Sequence, residues 1–426
     1  MAEPDSIIAP HDFETTLFAR WPRGNSEEKF PSEITYRHSA RVFGLDFLRA
    51  AAILSVFIAH SIGVLMPHLP WWFVFCGHGG FYGVELFFVL SGFLIGTILI
   101  RSGTDLCQPD RIATFYIRRW FRTLPLFWLF LCINVAIEYA LRSHYVNSAE
   151  IWSHGFFLRN LTTLRMTFFP ESWSLAIEEW FYLLFPAALW LALRFDRRFD
   201  RAFLTVAIAF FLFSTIGRMV TSPHAYATWT EWQRKVAILR FDSLMIGVFG
   251  AWIATRYPSV WRRHTKLLAL AGAILLIAMY AWLWKFVDHQ VQWSADAYFA
   301  RTFRFTLVSL GFALLLPAAS DWSLKRENIF STNIRRIALW SYALYLVHLP
   351  VIALFQQYWP KQWSASALQA SVTFLLQVGC AITVSALLYR FFESRCTHLR
   401  ETVAPIVTDI LRGKFRRVVN VIGNAK

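Results

Sequence analysis

Two ionisable residues, Arg49 and His60, lie eleven positions apart in the first apolar segment of the chain. At about 100° per residue this spacing makes roughly three full turns, so both side chains share one helix face, about 16 Å apart along the axis. Ionisable groups inside a bilayer-length apolar stretch are costly and generally functional. The pair could hold the two ends of one long ligand. The alternative is a snorkelling arginine and a core histidine.

A second group of side chains suits phosphate. Arg119 and Arg122 lie three residues apart, so they share one face of a helix. A guanidinium group is planar and binds phosphate oxygens through two parallel hydrogen bonds. Arg49, with Asp46 one turn before it, would extend the same site. The alternative is an ordinary positively charged loop, which is the better interpretation for Arg118.

The composition of the chain indicates how these residues are held. Of 426 residues, 56% are hydrophobic and 16% are charged, whereas soluble domains contain roughly 25% charged residues. Apolar runs of about 20 residues recur along the sequence, and each could cross a bilayer as a helix. The net charge of +15 is dispersed between these runs, which argues against nucleic-acid binding. We predict an all-α, polytopic membrane helical bundle.

We expect about ten transmembrane helices. Most of the 42 Lys and Arg residues fall on the side of the spans that the N-terminus shares, and positively charged loops mark the cytoplasmic side. The predicted orientation is therefore N-in/C-in. The predicted spans are 43–66, 80–100, 119–140, 172–194, 202–221, 238–255, 266–284, 298–317, 335–357 and 368–391.

This topology assigns a depth to each titratable group. His60, Glu85, Glu178 and His348 all fall in the outer third of their spans. Since buried charges need partners, these groups would converge on a shared polar cavity. We predict that His60 is a general base for a hydroxyl group, oriented by Glu85 or Glu178. The arginines lie about 16 Å deeper, roughly the length of an extended pantetheine arm.

The outer end of this path would bind the acceptor of the reaction. Trp173 and Tyr82 lie near the predicted outer mouth and could stack on sugar rings, and His348 lies at the same depth. For the aromatic rings the alternative is the belt that Trp and Tyr form at membrane surfaces.

Three regions follow from the pattern. Residues 1–42 are polar and form a predicted cytoplasmic N-terminal segment, and residues 43–393 form the transmembrane domain. Residues 394–426 form a basic, amphipathic cytoplasmic tail that either lies on the anionic inner leaflet or is disordered.

Six short blocks stand in order along the chain. They are 44–49 (GLDFLR) with His60, 83–94 (GVELFFVLSGFL), 119–125 (RWFRTLP), 173–182 (WSLAIEEWFY), 341–350 (SYALYLVHLP) and 390–393 (RFFE). Together they resemble the signature blocks of the acyltransferase-3 family, integral-membrane enzymes that O-acylate bacterial surface glycans. A single block would be a weak signal, whereas six in order are specific. The likeness covers about residues 40–395, and we expect no appended SGNH domain.

The resemblance implies a transmembrane O-acyltransferase with acyl-CoA as its donor. Acetyl-CoA is the first candidate, and no metal is implied. The acceptor would be a hydroxyl group of a lipid-linked sugar or an exported polysaccharide, at the bacterial inner membrane. The implied catalytic residues are His60, Glu178, Glu85 and Ser91, and the implied donor-binding residues are Arg49, Arg119, Arg122 and Asp46. Glu85 stands where Asp is commoner in the family, and Ser394 stands where the closing block often has Pro.

Two other functions fit the same residues. Intramembrane His and Glu residues also suit a proton-coupled secondary transporter or exporter. The absence of a convincing internal repeat speaks against it, because many transporter folds are built from repeats. The second alternative is a non-catalytic subunit of a glycan assembly complex, which would tolerate the loss of His60.

Overall fold

The computed structural model describes residues 42–70, 79–142, 146–162, 168–221, 234–289, 298–299, 302–324, 326–360 and 365–413. Within these ranges the chain is helical and has no β-strand. Residues 1–41 and 414–426, which contain nearly all of the predicted N-terminal segment and the end of the predicted tail, lie outside the described residues.

Fifteen α-helices follow one another in these ranges. The first seven are α1 (Phe43–Ser61), α2 (Gly80–Ser102), α3 (Pro109–Ile137), α4 (Ser148–Gly155), α5 (Arg159–Thr162), α6 (Ser172–Phe195) and α7 (Phe199–Thr221). The other eight are α8 (Phe241–Arg256), α9 (Pro258–Arg263), α10 (Thr265–His289), α11 (Arg304–Asp321), α12 (Ile329–Leu339), α13 (Ser341–Tyr358), α14 (Ala367–Leu388) and α15 (Ser394–Leu411).

The described part of the chain contains eight helical segments long and apolar enough to cross a membrane. A ninth is present if α12 and α13, which meet at 73°, together form one span. These segments coincide with nine of the ten predicted spans. The predicted fold class, a polytopic membrane helical bundle, is confirmed.

The remaining predicted span, 238–255, corresponds to α8, which is shorter than predicted. Its 16 residues extend over about 24 Å, less than the roughly 30 Å of a bilayer core. A 3₁₀ turn, Ala237–Leu239, precedes the helix, and its first residues, Phe241, Asp242 and Ser243, are already buried. Thus α8 begins inside the protein, and the polar residues at its start are enclosed by neighbouring helices.

Helix α2 lies at the centre of the bundle and packs against α1, α6, α8 and α11. In its most apolar stretch 83% of the residues are buried, compared with 6% for α10 at the periphery. The backbones of α2 and α8 touch at two glycines. A Cβ atom on Gly92 would overlap the carbonyl oxygen of Leu244, and one on Gly247 would overlap that of Val89. Small residues of this kind allow close helix contacts in membranes.

The last two helices form one continuous rod. A π-helical turn, Tyr389–Glu393, joins α14 to α15 without a break. Helix α15 packs along α3, where Nη2 of Arg412 donates to Oδ2 of Asp110 at 2.5 Å and the hydroxyls of Thr408 and Thr114 lie 3.1 Å apart. The division of the chain at residue 394 stays a prediction. The described part of the tail is held by protein contacts.

Candidate active site

Five helices, α1, α2, α3, α6 and α13, converge on a cavity with about 700 Å³ of empty space, part of which is open to the surroundings. The cavity contains five of the predicted site residues, Arg49, Ser91, Arg119, Arg122 and Glu178. The other lining residues are Val84, Phe87, Phe88, Leu90, Leu94, Thr123, Ser174, Leu175, Ser341, Tyr342 and Tyr345. Charged groups and an apolar wall therefore face the same space.

Three guanidinium groups lie on the wall of this cavity. Arg49 comes from α1, and Arg119 and Arg122 come from adjacent turns of α3. Cζ of Arg119 lies 3.8 Å from the ring centroid of Tyr182, which positions the guanidinium by a cation–π contact. The arrangement suits an anionic ligand such as a phosphate group. Asp46 is buried and is not part of the cavity lining.

Ser91 and Glu178 meet inside the cavity. The Ser91 hydroxyl donates to Oε1 of Glu178 at 2.8 Å, and the Tyr182 hydroxyl donates to Oε2 at 3.0 Å. Arg119 and Arg122 also interact electrostatically with this carboxylate. The sequence placed Glu178 at the depth of His60. In the structure the partners of this half-buried carboxylate are Ser91, Tyr182 and the arginines of α3.

A pair of imidazoles lies beyond the cavity. Nδ1 of His60, near the end of α1, is 3.1 Å from Nε2 of His348 in α13, and the ring centroids are 5.1 Å apart. Nδ1 of His348 is 2.6 Å from the backbone carbonyl oxygen of Tyr345. His348 is fully buried, whereas His60 is exposed at the edge of the protein. The two histidines thus form a short hydrogen-bonded chain that ends at an accessible ring.

The carbonyl at one end of this chain determines where the protons lie. A carbonyl oxygen only accepts, so Nδ1 of His348 must carry the proton. In a neutral ring Nε2 of His348 is then the acceptor, and Nδ1 of His60 donates to it. The remaining nitrogen of His60, Nε2, keeps a lone pair. This is the tautomer that a general base requires.

Tyr345 separates the cavity from the imidazole pair. Its ring lines the cavity and lies 5.6 Å, between centroids, from the ring of His348. The Tyr345 hydroxyl is fixed by Ser174 Oγ at 2.5 Å and by the carbonyl oxygen of Glu171 at 3.2 Å. The sequence predicted one continuous path between the arginines and His60. In the described structure His60 does not line the cavity, and Tyr345 stands between the two sites.

Glu85 is paired with an arginine and not with His60. Its carboxylate forms a fully buried ion pair with Nη2 of Arg240, at 2.5 and 2.7 Å. Ser243 and Ser309 also donate to Oε2 of Glu85, at 3.0 and 3.2 Å. The expectation that Glu85 or Glu178 orients His60 is therefore not met, because both carboxylates are engaged elsewhere. His348 occupies the orienting position.

A second buried ion pair was missed by the sequence reasoning. Two nitrogens of Arg218 bind both carboxylate oxygens of Asp242 at 2.6 and 2.7 Å, and the Thr306 hydroxyl donates to Oδ2 of Asp242 at 2.6 Å. Arg218 also donates to the carbonyl oxygens of Thr302 and Leu239. The available signal was an arginine within a predicted span, followed by a second span that opens with an aspartate.

The two aromatic residues predicted to contact a sugar are enclosed. Trp173 is 6% exposed and Tyr82 is 9% exposed. Tyr82 packs edge-on against Phe81 and Tyr280, and Trp173 packs edge-on against Phe88. Neither ring offers a free face for stacking, because helix packing at this end of the bundle covers them. The expectation of exposed sugar-binding rings is corrected accordingly.

Curated bacterial proteins are similar to this chain over most of its length. The peptidoglycan O-acetyltransferase OatA of Listeria monocytogenes is 27% identical over 388 residues, covering 84% of this chain and 56% of OatA. YrhL of Bacillus subtilis, whose name gives peptidoglycan O-acetyltransferase as a provisional assignment, is 26% identical over 408 residues, covering 90% of this chain and 57% of YrhL. The chain thus spans a little over half the length of these curated relatives.

No solved structure matches the chain significantly. The Acyltransferase domain family, in contrast, matches residues 42–390, which include α1 to α14, the arginine-lined cavity and both histidines. Over most of its length, and throughout the part that forms the candidate site, this chain belongs to the Acyltransferase domain family.

Proposed function

We propose that this protein is an acyltransferase of the bacterial inner membrane that moves an acyl group, acetyl in the first place, from cytoplasmic acyl-CoA to a glycan hydroxyl on the outer side. The acceptor is a lipid-linked sugar or an exported polysaccharide. Relatives carry peptidoglycan O-acetyltransferase in their names, which makes peptidoglycan the first acceptor to examine. Membership of the Acyltransferase domain family supports the reaction class.

The donor is assigned to the cavity. Arg49, Arg119 and Arg122 would bind the phosphates of acyl-CoA, since guanidinium groups form paired, charge-assisted hydrogen bonds with phosphate oxygens. The pantetheine arm would then lie along the apolar wall provided by α2 and α6. This places the thioester near Tyr345, at the border with the imidazole pair.

The chemistry is assigned to His60. Its Nε2 lone pair would remove the proton from the acceptor hydroxyl while the hydroxyl oxygen attacks the thioester carbonyl. The tetrahedral intermediate would then collapse, the C–S bond would break, and the CoA thiolate would take the proton from the imidazolium. His348 would accept from Nδ1 of His60 and hold its ring in place throughout. We therefore assign His348 to positioning and not to substrate binding.

Ser91 and Glu178 could provide a two-step alternative. Glu178 could take the proton of the Ser91 hydroxyl as the hydroxyl attacks the thioester. The C–S bond would then break, Glu178 would pass the proton to the departing CoA thiolate, and the acceptor hydroxyl would attack the acyl-serine and release Ser91. Only the two-step route forms a stable acyl-enzyme intermediate. Incubation with labelled acetyl-CoA and no acceptor, followed by acid quenching and peptide mapping, would show label on Ser91 only in the two-step route. Direct transfer predicts unlabelled protein.

The single observation that carries the proposal is the hydrogen-bonded chain from the Tyr345 carbonyl through His348 to His60. The test uses purified protein in liposomes with ¹⁴C-acetyl-CoA and deacetylated glycan from the same cells. An acyltransferase places label on the glycan and releases CoA. A transporter leaves the thioester intact, and a non-catalytic subunit gives no transfer without its partners; either result would refute the proposal.

A further inference from the structure

A group of arginines surrounds the end of the bundle at which His60 lies. Cζ of Arg234 lies 5.3 Å from the ring centroid of Phe81, and Cζ of Arg304 lies 4.5 Å from the same centroid. Cζ of Arg240 lies 4.0 Å from the ring centroid of Phe305, which packs against Phe81. Three guanidinium groups from two chain segments therefore share one aromatic cluster. None of them has a part in the donor cavity.

The carboxylates described near Arg234 are already bound by other groups. Glu85 is bound by Arg240 and two serines, and Asp242 is bound by Arg218 and Thr306. Nε of Arg234 is buried and has no hydrogen-bond partner among the described residues, and no carboxylate there forms an ion pair with this side chain. Glu85 attracts Arg234 electrostatically, but its carboxylate is already bound by Arg240 and two serines. A guanidinium with a buried Nε and no carboxylate in direct contact is costly, and a bound anion would relieve that cost.

Arg234 lies at the same end of the bundle as the proposed reaction centre. It packs on Phe81, and Gly80 beside Phe81 packs on Ala59, the neighbour of His60. Arg234 interacts electrostatically with His60 and with Tyr345, and its Cζ is 5.0 Å from the ring centroid of Trp173. Arg234 is partly exposed as a residue, although its Nε is buried, so part of it is accessible to a ligand. An anion bound to Arg234 would therefore lie at the end of the bundle where the acceptor hydroxyl would meet His60.

We infer that Arg234 binds an oxyanion carried by the acceptor glycan, either a carboxylate or a phosphate, on the acylated sugar or its neighbour. Trp173 holds the Arg234 guanidinium from one side. The contact would place the acceptor hydroxyl at His60 and would exclude neutral glycans. This inference rests on the proposed function and adds the chemical class of its acceptor.

The test uses three acceptor preparations made from deacetylated glycan of wild-type cells: untreated, carboxyl-reduced, and dephosphorylated with hydrogen fluoride. Carboxyl reduction replaces each carboxylate by a neutral alcohol. We expect one of the two treatments to raise the acceptor KM by about 10- to 100-fold, the range for a lost hydrogen bond to a charged group. The treatment that does so identifies the oxyanion. Equal KM values for all three preparations would overturn the inference.

Variants assign the effect to the residue. Arg234→Gln should raise the KM for the untreated glycan to the value for the sensitive preparation, Arg234→Lys should restore part of the difference, and the KM for acetyl-CoA should stay unchanged. Arg159→Gln is the matched control, because Arg159 is already paired with Glu150 at 3.0 Å. A fall in kcat for every preparation, with no change in acceptor KM, would contradict acceptor binding by Arg234.

The two proposals fail in different ways. If wild-type protein transfers no label to untreated glycan, the proposed acyltransferase function is wrong and the inference is lost with it. If transfer to untreated glycan is normal but Arg234→Gln does not distinguish charged from neutralised glycan, only the inference is wrong.

Discussion

Nε2 of His348 lies 3.1 Å from Nδ1 of His60, and the backbone carbonyl of Tyr345 fixes the direction of that hydrogen bond. The buried histidine therefore holds the exposed one in the tautomer whose Nε2 is a base. In hydrolases with a Ser-His-Asp triad a carboxylate occupies this orienting position. Here the orienting group is neutral, and the carboxylates of Glu85 and Glu178 are bound to other partners.

Replacing His348 should slow catalysis without weakening substrate binding. His348→Ala removes the acceptor for Nδ1 of His60, and we expect kcat to fall by about 10- to 100-fold, equivalent to roughly 1.5–3 kcal/mol. His348→Gln should retain more activity, because its amide can accept from His60 and donate to Tyr345. Steady-state kinetics at saturating donor and acceptor measure this. A rise in acceptor KM with unchanged kcat would instead indicate direct substrate binding by His348.

Replacing Arg119 should weaken donor binding. Arg119→Ala removes one charge-assisted hydrogen-bonding group from the cavity, and we expect the KM for acetyl-CoA to rise by about 10- to 100-fold. Arg118→Ala is the matched control on the same helix. Arg118 does not line the cavity and lies 3.7 Å from Glu401 of α15, in a partly exposed ion pair. Equal donor KM values for the two variants would remove the arginines of α3 from the donor site.

Loss of Glu85 should destabilise the protein more than it impairs chemistry. Glu85→Gln leaves Arg240 buried without its counter-charge, which costs about 3–5 kcal/mol. The double variant Glu85→Gln/Arg240→Gln should recover part of this loss, because it removes both charges. The measurement is thermal unfolding in detergent, with Asp200→Asn as the control at the exposed Asp200–Arg256 pair, worth about 0–1 kcal/mol. A Glu85→Gln variant with wild-type stability and no activity would restore the catalytic assignment.

The close contact of α2 and α8 should not tolerate a methyl group. Gly247→Ala places Cβ against the backbone of Val89 and Phe93, and we expect destabilisation of about 1–3 kcal/mol from overpacking. Gly379→Ala in α14 is the same change where no atom lies within 4 Å of the added carbon, so it should be neutral or mildly stabilising. Unfolding temperatures of the two variants compare them directly. Equal temperatures would show that α8 can shift away from α2.

The helices and the donor cavity could be predicted from local sequence. Each predicted span contains a helix, because long apolar runs have few other structures in a membrane. The cavity brings together Ser91, Arg119 and Glu178, each from a different sequence block. Helix α8 is too short to cross a bilayer, since its polar start is buried by other helices. The predicted span 335–357 is broken by the 73° bend between α12 and α13. A single run of residues does not reveal how its neighbours cover it.

The pairing of distant side chains could not be predicted in the same way. His60 and His348 are 288 residues apart, and Glu85 and Arg240 are 155 residues apart. Depth alone suggested that Glu85 serves His60, but depth does not tell which helix faces which. Buried charges select the partner that the packing offers, and for Glu85 that partner is an arginine directly before α8.

The most direct test of the account is the rate of acetyl transfer by His60→Ala. In liposomes with labelled acetyl-CoA and glycan acceptor, we predict a fall of about 10²–10⁴-fold, the usual contribution of a general base, with donor KM unchanged. His398→Ala, at an exposed position on α15, should transfer at the wild-type rate. Wild-type transfer by a folded His60→Ala protein would contradict the central claim that this imidazole activates the acceptor hydroxyl.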